Sequence, residues 1–224
     1  MLAGQADSQQ AASALEKLCQ TYWLPLYGYI RRRGHSPHDA QDLTQGFFVR
    51  LLRMNSFVGL SREKGKFRTF LLAALNHFLA DQRDHDRAEK RGGGQLVISL
   101  NEEETEQRYL QVPSADLTPE KAFDRRWALT VLDEALGRLR HEYATSGKAE
   151  IFQHLSGFLS DEASAGDYDT LATKLGMSPG AVGVAVHRLR QRYRECVRLQ
   201  LAQTVASPED LGEEINYLFA VLGA

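Results

Sequence analysis

Several groups of side chains in this chain have types and spacings that chemistry can use. His77, Asp81 and His85 recur at i, i+4 and i+8, which puts them on one helix face and suggests a metal site. Their surroundings are basic, with Arg83, Arg87, Lys90 and Arg91 close by, and no further ligand converges in sequence, so no metal is expected. His35, His38, Asp39 and Asp42 have the composition of a hydrolytic centre. The chain nevertheless has no glycine-rich phosphate loop, no nucleophile elbow and no carboxylate pair at a strand end. No catalytic residues, no cofactor and no enzymatic activity are therefore expected. Arg188, Arg190, Arg192 and Arg194 offer non-covalent chemistry instead: planar guanidinium forks that suit phosphates and base edges.

The stretch from Tyr168 to Arg194 would position those arginines as a helix-turn-helix. Ala172 supplies the small residue of the first helix, Gly176 the turn, and Val182 the apolar anchor of the second helix. Ser178 is placed to N-cap that helix, and Pro179 fits its first position, where a missing donor does no harm. Leu171, Leu175, Val182, Val186 and Leu189 form the apolar stripe. A helical hairpin with a solvated basic face is the plainer reading of this segment by itself.

The rest of the chain also has helical periodicity, and little of it reads as strand. One amphipathic segment spans about 11–33, interrupted at Pro25. Ser36 and Pro37 open a helix reaching about Met54, and after a polar, basic loop another runs from about Phe67 to Arg91. Gly92 to Gly94, the acidic run Glu102 to Glu106 and Pro113 mark a linker. Thr118 and Pro119 restart helices that continue through Trp127 and Leu139, and a last short helix follows Ser207 and Pro208. The expected fold is all-α, with two helical domains joined by a flexible linker and a helix-turn-helix in the second. The boundaries are 1–94, an acidic linker 95–118, a C-terminal domain 119–200, and an extension 201–224.

Net charge is −2, from 27 basic and 29 acidic residues, which disfavours a general nucleic-acid coat protein. The distribution says more: basic islands at Arg31 to Arg33, Arg62 to Arg91 and Arg188 to Arg198 alternate with acidic ones at Glu102 to Glu106 and Glu209 to Glu214. Spaced basic surfaces suit two contacts with one polyanion, although charged helical proteins often show such clusters. No apolar run is long enough to span a bilayer, and the N-terminus lacks the pattern of a secretory signal. Cys19 and Cys196 have no metal or disulfide spacing, so a cytoplasmic protein with reduced thiols is expected.

In order, these parts resemble a bacterial RNA polymerase sigma factor of the sigma-70 superfamily, extracytoplasmic-function (ECF) type. The run His38 to Leu52, HDAQDLTQGFFVRLL, is similar to the family's helix that docks on the β′ clamp helices of the polymerase. Lys66 to Asp81, KFRTFLLAALNHFLAD, is similar to the helix that melts and reads the −10 promoter element; Phe70-Leu71 stands where Trp-Leu is common. Leu171 to Arg194 matches the −35-reading domain. Its second helix departs from the family's common Thr-Val-Lys-Ser-Arg, having Ala181-Val182-Gly183-Val184-Ala185 at those positions, so fewer polar side chains face DNA.

The resemblance implies a transcription initiation factor with core RNA polymerase (β′ clamp helices and β flap) and promoter DNA as partners, and an anti-sigma factor as a candidate regulator. Polymerase contacts are expected at Asp39, Asp42, Gln45, Phe48 and Arg50, with Phe48 pointing away from the apolar face. The −10 contacts are expected at Arg62, Lys64, Lys66, Arg68, Asn76, His77, Arg83 and Arg87. The −35 contacts are expected at Ser178, Pro179, Gly180, Ala181, Val184, His187, Arg188, Arg190 and Arg192. A helix-turn-helix regulator acting without polymerase docking, or a helical adaptor that binds no DNA, are the competing readings.

Overall fold

Aromatic side chains at helical spacing build the first part of the fold in a computed structural model, which describes residue 19 and residues 21–53, 67–88, 102–111, 117–159, 166–205 and 207–223. Every regular element among them is a helix. Helix α1 (21–32) buries Tyr22, Trp23, Leu26, Tyr27, Tyr29 and Ile30. So many inward side chains leave almost no solvated face, and the helix runs through Pro25 rather than breaking there. Helix α2 (Pro37–Arg53) and helix α3 (Phe67–Ala88) follow, and Phe47, Phe48, Leu71, Leu75, Phe78 and Leu79 are buried from them. The Trp23 and Phe48 rings stack at 5.6 Å, and Phe47 meets Phe78 at 5.8 Å.

The acidic segment contains an ordered helix. Helix α4 (Glu102–Leu110) places Glu106 against Arg31 in an ion pair of 2.7 Å, and the Tyr27 hydroxyl donates to the same carboxylate. Arg31 is thereby committed to packing α4. Tyr109 lies under two cations, with Arg31 5.4 Å and Arg126 4.3 Å from its ring centre. Arg126 comes from α5 (Pro119–Thr145), is buried, and donates to the Tyr109 carbonyl. A Cβ on Gly28 would lie 2.7 Å from the Arg126 side chain, so glycine gives that arginine its path past α1.

The chain divides into two units, 1–130 with 204–224, and 131–203. The division falls inside α5 rather than at residues 118 and 119, because Phe123 and Trp127 are core residues of the first unit. Residues after 203 also belong to that unit: helix α9 (Pro208–Gly223) buries Glu214 and Leu218 in it.

The second unit holds the end of α5, α6 (Ala149–Leu155), a 3-10 turn (Ser156–Leu159), α7 (Asp167–Leu175) and α8 (Pro179–Ala202). Its core is mainly aliphatic, with Val131, Ala135 and Leu139 from α5, Leu155 from α6, Leu171 from α7, and Val182, Val186 and Leu189 from α8, and it also buries Phe152 of α6. Gly176 ends α7 at φ 62°, a left-handed conformation that suits glycine, and its N–H and that of Met177 both close on the Ala172 carbonyl.

Candidate nucleic-acid interfaces

Helix α8 begins as its sequence requires. Ser178 has extended backbone and its hydroxyl accepts the Ala181 N–H at 3.2 Å, with Pro179 next to it at the first helical position. Burial of Val182, Val186 and Leu189 fixes which side of the helix looks outward. Gly180, Val184, His187, Arg188 and Gln191 then share one exposed face, at i, i+4, i+7, i+8 and i+11. Ser178 and Pro179 are exposed beside its first turn, and Ala181 is half-buried. Free N–H groups and the positive end of the helix dipole add to this face's affinity for anions.

The arginine ladder does not act as one set. A spacing of two residues turns each arginine through more than half a helical circle, so the four cannot share a face. Arg188 and Arg194 are exposed. Arg190, expected on the DNA side, is half-buried and its Nε donates to the Phe158 carbonyl at 2.8 Å. Arg192, also expected there, forms a two-pronged bond to Glu142 at 2.7 and 2.8 Å and a third bond to Glu195 at 2.7 Å. The Arg192 guanidinium holds the Glu142 carboxyl below its usual range. Both arginines therefore pack the second unit in this structure.

Helix α3 makes a similar division in the first unit. Thr69, Ala73, Asn76, His77, Ala80 and Arg83 line an exposed face. The Asn76 Oδ1 accepts from the Tyr29 hydroxyl at 3.0 Å and from Arg33, so α1 sets its orientation. Arg68, expected as a DNA contact, is only 8% exposed. Its Nε donates to Glu214 at 2.8 Å, its Nη1 to Asp124 at 3.0 Å, and the Tyr217 ring centre lies 3.7 Å from its guanidinium carbon. Burial alone would lower the Arg68 pKa, but the hydrogen bond and charge of Glu214, with the charge of Asp124, raise it overall. Position 68 shares the helical phase of Leu71, Leu75, Phe78 and Leu79, which explains its burial. Arg62, Lys64 and Lys66 lie outside the described residues, as does the side chain of Arg87.

On α2, Asp39 is exposed and reciprocally bonded to Ser36: the Asp39 N–H donates to the serine hydroxyl, which donates to the carboxylate. Ser36 holds the Asp39 carboxyl below its ordinary range. Asp42 is part-exposed, 3.6 Å from His38. Gln45 and Phe48, expected outward, are buried, Phe48 to 1% exposure. The reason is that α2 is covered on two sides, by Trp23 of α1 and by Phe78 of α3. Arg50 is part-exposed, pairs with Asp81 at 2.7 Å and lies over the Phe78 ring. Asp81 is thus engaged by a cation on the helix face it shares with His77, and the side chain of His85 lies outside the described residues. Among the described residues no group of three or more His, Cys, Asp and Glu side chains is arranged for a metal.

Sequence reasoning missed the Asp124, Glu214 and Tyr217 partners of Arg68, and the docking of α4 through Glu106. The helical phase of Arg68 was the available signal for the first; nothing local marked the second.

A family model described as ECF sigma factor matches residues 8–199. The chain is also similar to the ECF RNA polymerase sigma factor SigE of Mycolicibacterium smegmatis, with 24% identity over 199 residues, covering 89% of this chain and 67% of that protein. No solved structure matches the chain. Among the described residues no helix is long and apolar enough to cross a membrane.

Proposed function

The chain belongs to the ECF sigma factor family, as a transcription initiation factor that works with RNA polymerase and promoter DNA, and from that premise we propose how its surfaces divide the work. The outward face of α8, with His187 and Arg188 at its centre and Ser178 to Ala181 at its start, enters the major groove of the −35 element. Exposed cations position it on the backbone, and a capped helix N-terminus faces a phosphate. The observation that carries this reading is the fixed orientation of α8: three buried aliphatic side chains leave Gly180, Val184, His187 and Arg188 facing out together.

In the first unit, Asn76, His77 and Arg83 on α3 meet the −10 element. Opening that element costs roughly 1–2 kcal/mol per base-pair step, which polar and cationic groups beside the separated strands offset. The exposed edge of α2, with Asp39 and part-exposed Asp42 and Arg50, meets the β′ clamp helices, and the second unit meets the β flap. Contacts between exposed charges of this kind weaken as salt rises.

Purified protein added to core polymerase should yield promoter-dependent transcripts from a genomic promoter library. Core enzyme that stays bound to the protein yet initiates nowhere above its own background would reject the proposal. A double substitution, Asn76→Ala with His77→Ala, should abolish opening of the −10 region while leaving polymerase binding intact. Retained opening, read by permanganate reactivity of unpaired thymines, would remove α3 from the scheme.

A further inference from the structure

The outward face of α8 carries a valine in a place where burial cannot explain it. Val184 is 50% exposed, while Val182 and Val186 on the same helix are in the core. Valine is a poorer helix former than alanine, because its branched side chain loses rotamer freedom. With half of its surface in solvent, this valine gives the folded chain only part of the return that a core valine gives. Its neighbours on the surface are His187 and Arg188, both exposed and polar.

Two glycines beside it pose the same question. A Cβ on Gly183 would meet only the Tyr168 ring, at 3.8 Å, which is ordinary contact, and a Cβ on Gly180 would meet nothing within 4 Å. Neither glycine is among those with positive φ. Alanine would fit both positions and favour the helix. The fold thus accepts side chains at 180 and 183 without requiring glycine at either.

We infer that α8 reads DNA by close apolar fit: Val184 packs on the 5-methyl group of a thymine, and Gly180, with open space where a side chain would stand, lets the helix backbone approach the bases. The thymine methyl is the apolar group that base pairs present in the major groove, so it is the partner an exposed valine there can distinguish. His187 and Arg188 flank Val184 and hold the helix in register on polar base edges and phosphates. Specificity then comes from shape and a methyl group, with few of the polar pairs usual in direct readout. This inference rests on the proposal that α8 enters the major groove.

The test uses the full chain bound to core polymerase and a duplex pool randomised over the upstream promoter element. Wild-type complex should select thymine at one position, and Val184→Ala should lose that preference while keeping the others. Deoxyuridine in place of that thymine should weaken wild-type binding about fourfold, and leave Val184→Ala unchanged. Gly180→Ala should not lower the melting temperature of the second unit, yet should bind the selected duplex more weakly. Equal binding of thymine and deoxyuridine duplexes by wild type would overturn the inference, as would a thymine preference that survives Val184→Ala, or a Gly180→Ala protein that binds like wild type. Weaker polymerase binding by Val184→Ala with unchanged base preference would assign the valine to a protein contact and overturn it too. A pool from which wild type enriches nothing rejects the promoter-reading proposal itself, and this inference with it.

Discussion

Arg68 and Arg188 stand on the two helices that carry the candidate reading faces, and in sequence both are basic residues within runs that resemble DNA-reading segments. In the structure, Arg68 lies between Asp124, Glu214 and Tyr217, whereas Arg188 is exposed. The first cation holds together α3, α5 and α9 within its unit; the second is available to a polyanion. What separates them is helical phase. Position 68 follows the buried stripe of α3, and position 188 lies off the buried stripe of α8. A cluster of positive charge in the sequence is thus a mixture of exposed cations and internal fasteners, and burial sorts one from the other.

The largest effect expected from this contrast is on stability. Arg68→Ala strands two carboxylates, one of them buried, and should cost the first unit about 3–5 kcal/mol in a denaturant titration. Arg188→Ala should change stability by less than about 0.5 kcal/mol. Similar unfolding midpoints for the two variants would break the comparison. Phe48→Ala comes next. It removes the ring that stacks on Trp23 and should cost about 3 kcal/mol, with polymerase binding lost only through unfolding. Near-native stability combined with lost polymerase binding would return Phe48 to the docking surface.

Smaller effects sharpen the picture of each unit. Ser178→Ala removes the cap of α8 and should cost the second unit about 1 kcal/mol, seen as a lower melting temperature. Glu106 offers a pH-dependent check on the first unit. Arg31, then Tyr27, depress its carboxyl pKa in the folded state. Its contribution is therefore present above the ordinary glutamate range and fades as pH falls through the folded value. Glu106→Gln should lower stability at neutral pH by about 1 kcal/mol or less and flatten the acid limb of the stability curve. An unaltered acid limb would mean that α4 is held by its other contacts.

Much of the fold was legible because its signals are local. Ser178-Pro179 and Gly176 fixed the turn of the helix-turn-helix, and periodicity located α2, α3 and α8 within a few residues. The division of the chain was less visible. Glu102 to Leu110 has charge without an apolar stripe, so its helix depends on partners brought from α1 and α5, which no local pattern reveals. The same holds for α9: Glu214 and Tyr217 find Arg68 and Asp124 only after the chain returns from the second unit to the first. At the candidate sites, residue type was a weaker guide than phase. Asn76, His77, Arg83, Val184, His187 and Arg188 are on outward faces, while Gln45, Phe48 and Arg68 are inside and Arg190 and Arg192 serve packing.

The claim that exposed charge reads DNA while buried charge holds the fold is tested most directly by transcription with Arg188→Ala. With core polymerase and a promoter selected by the wild-type complex, transcript yield should fall about tenfold while the melting temperature stays at the wild-type value. Full transcription by a stably folded Arg188→Ala protein would contradict the account.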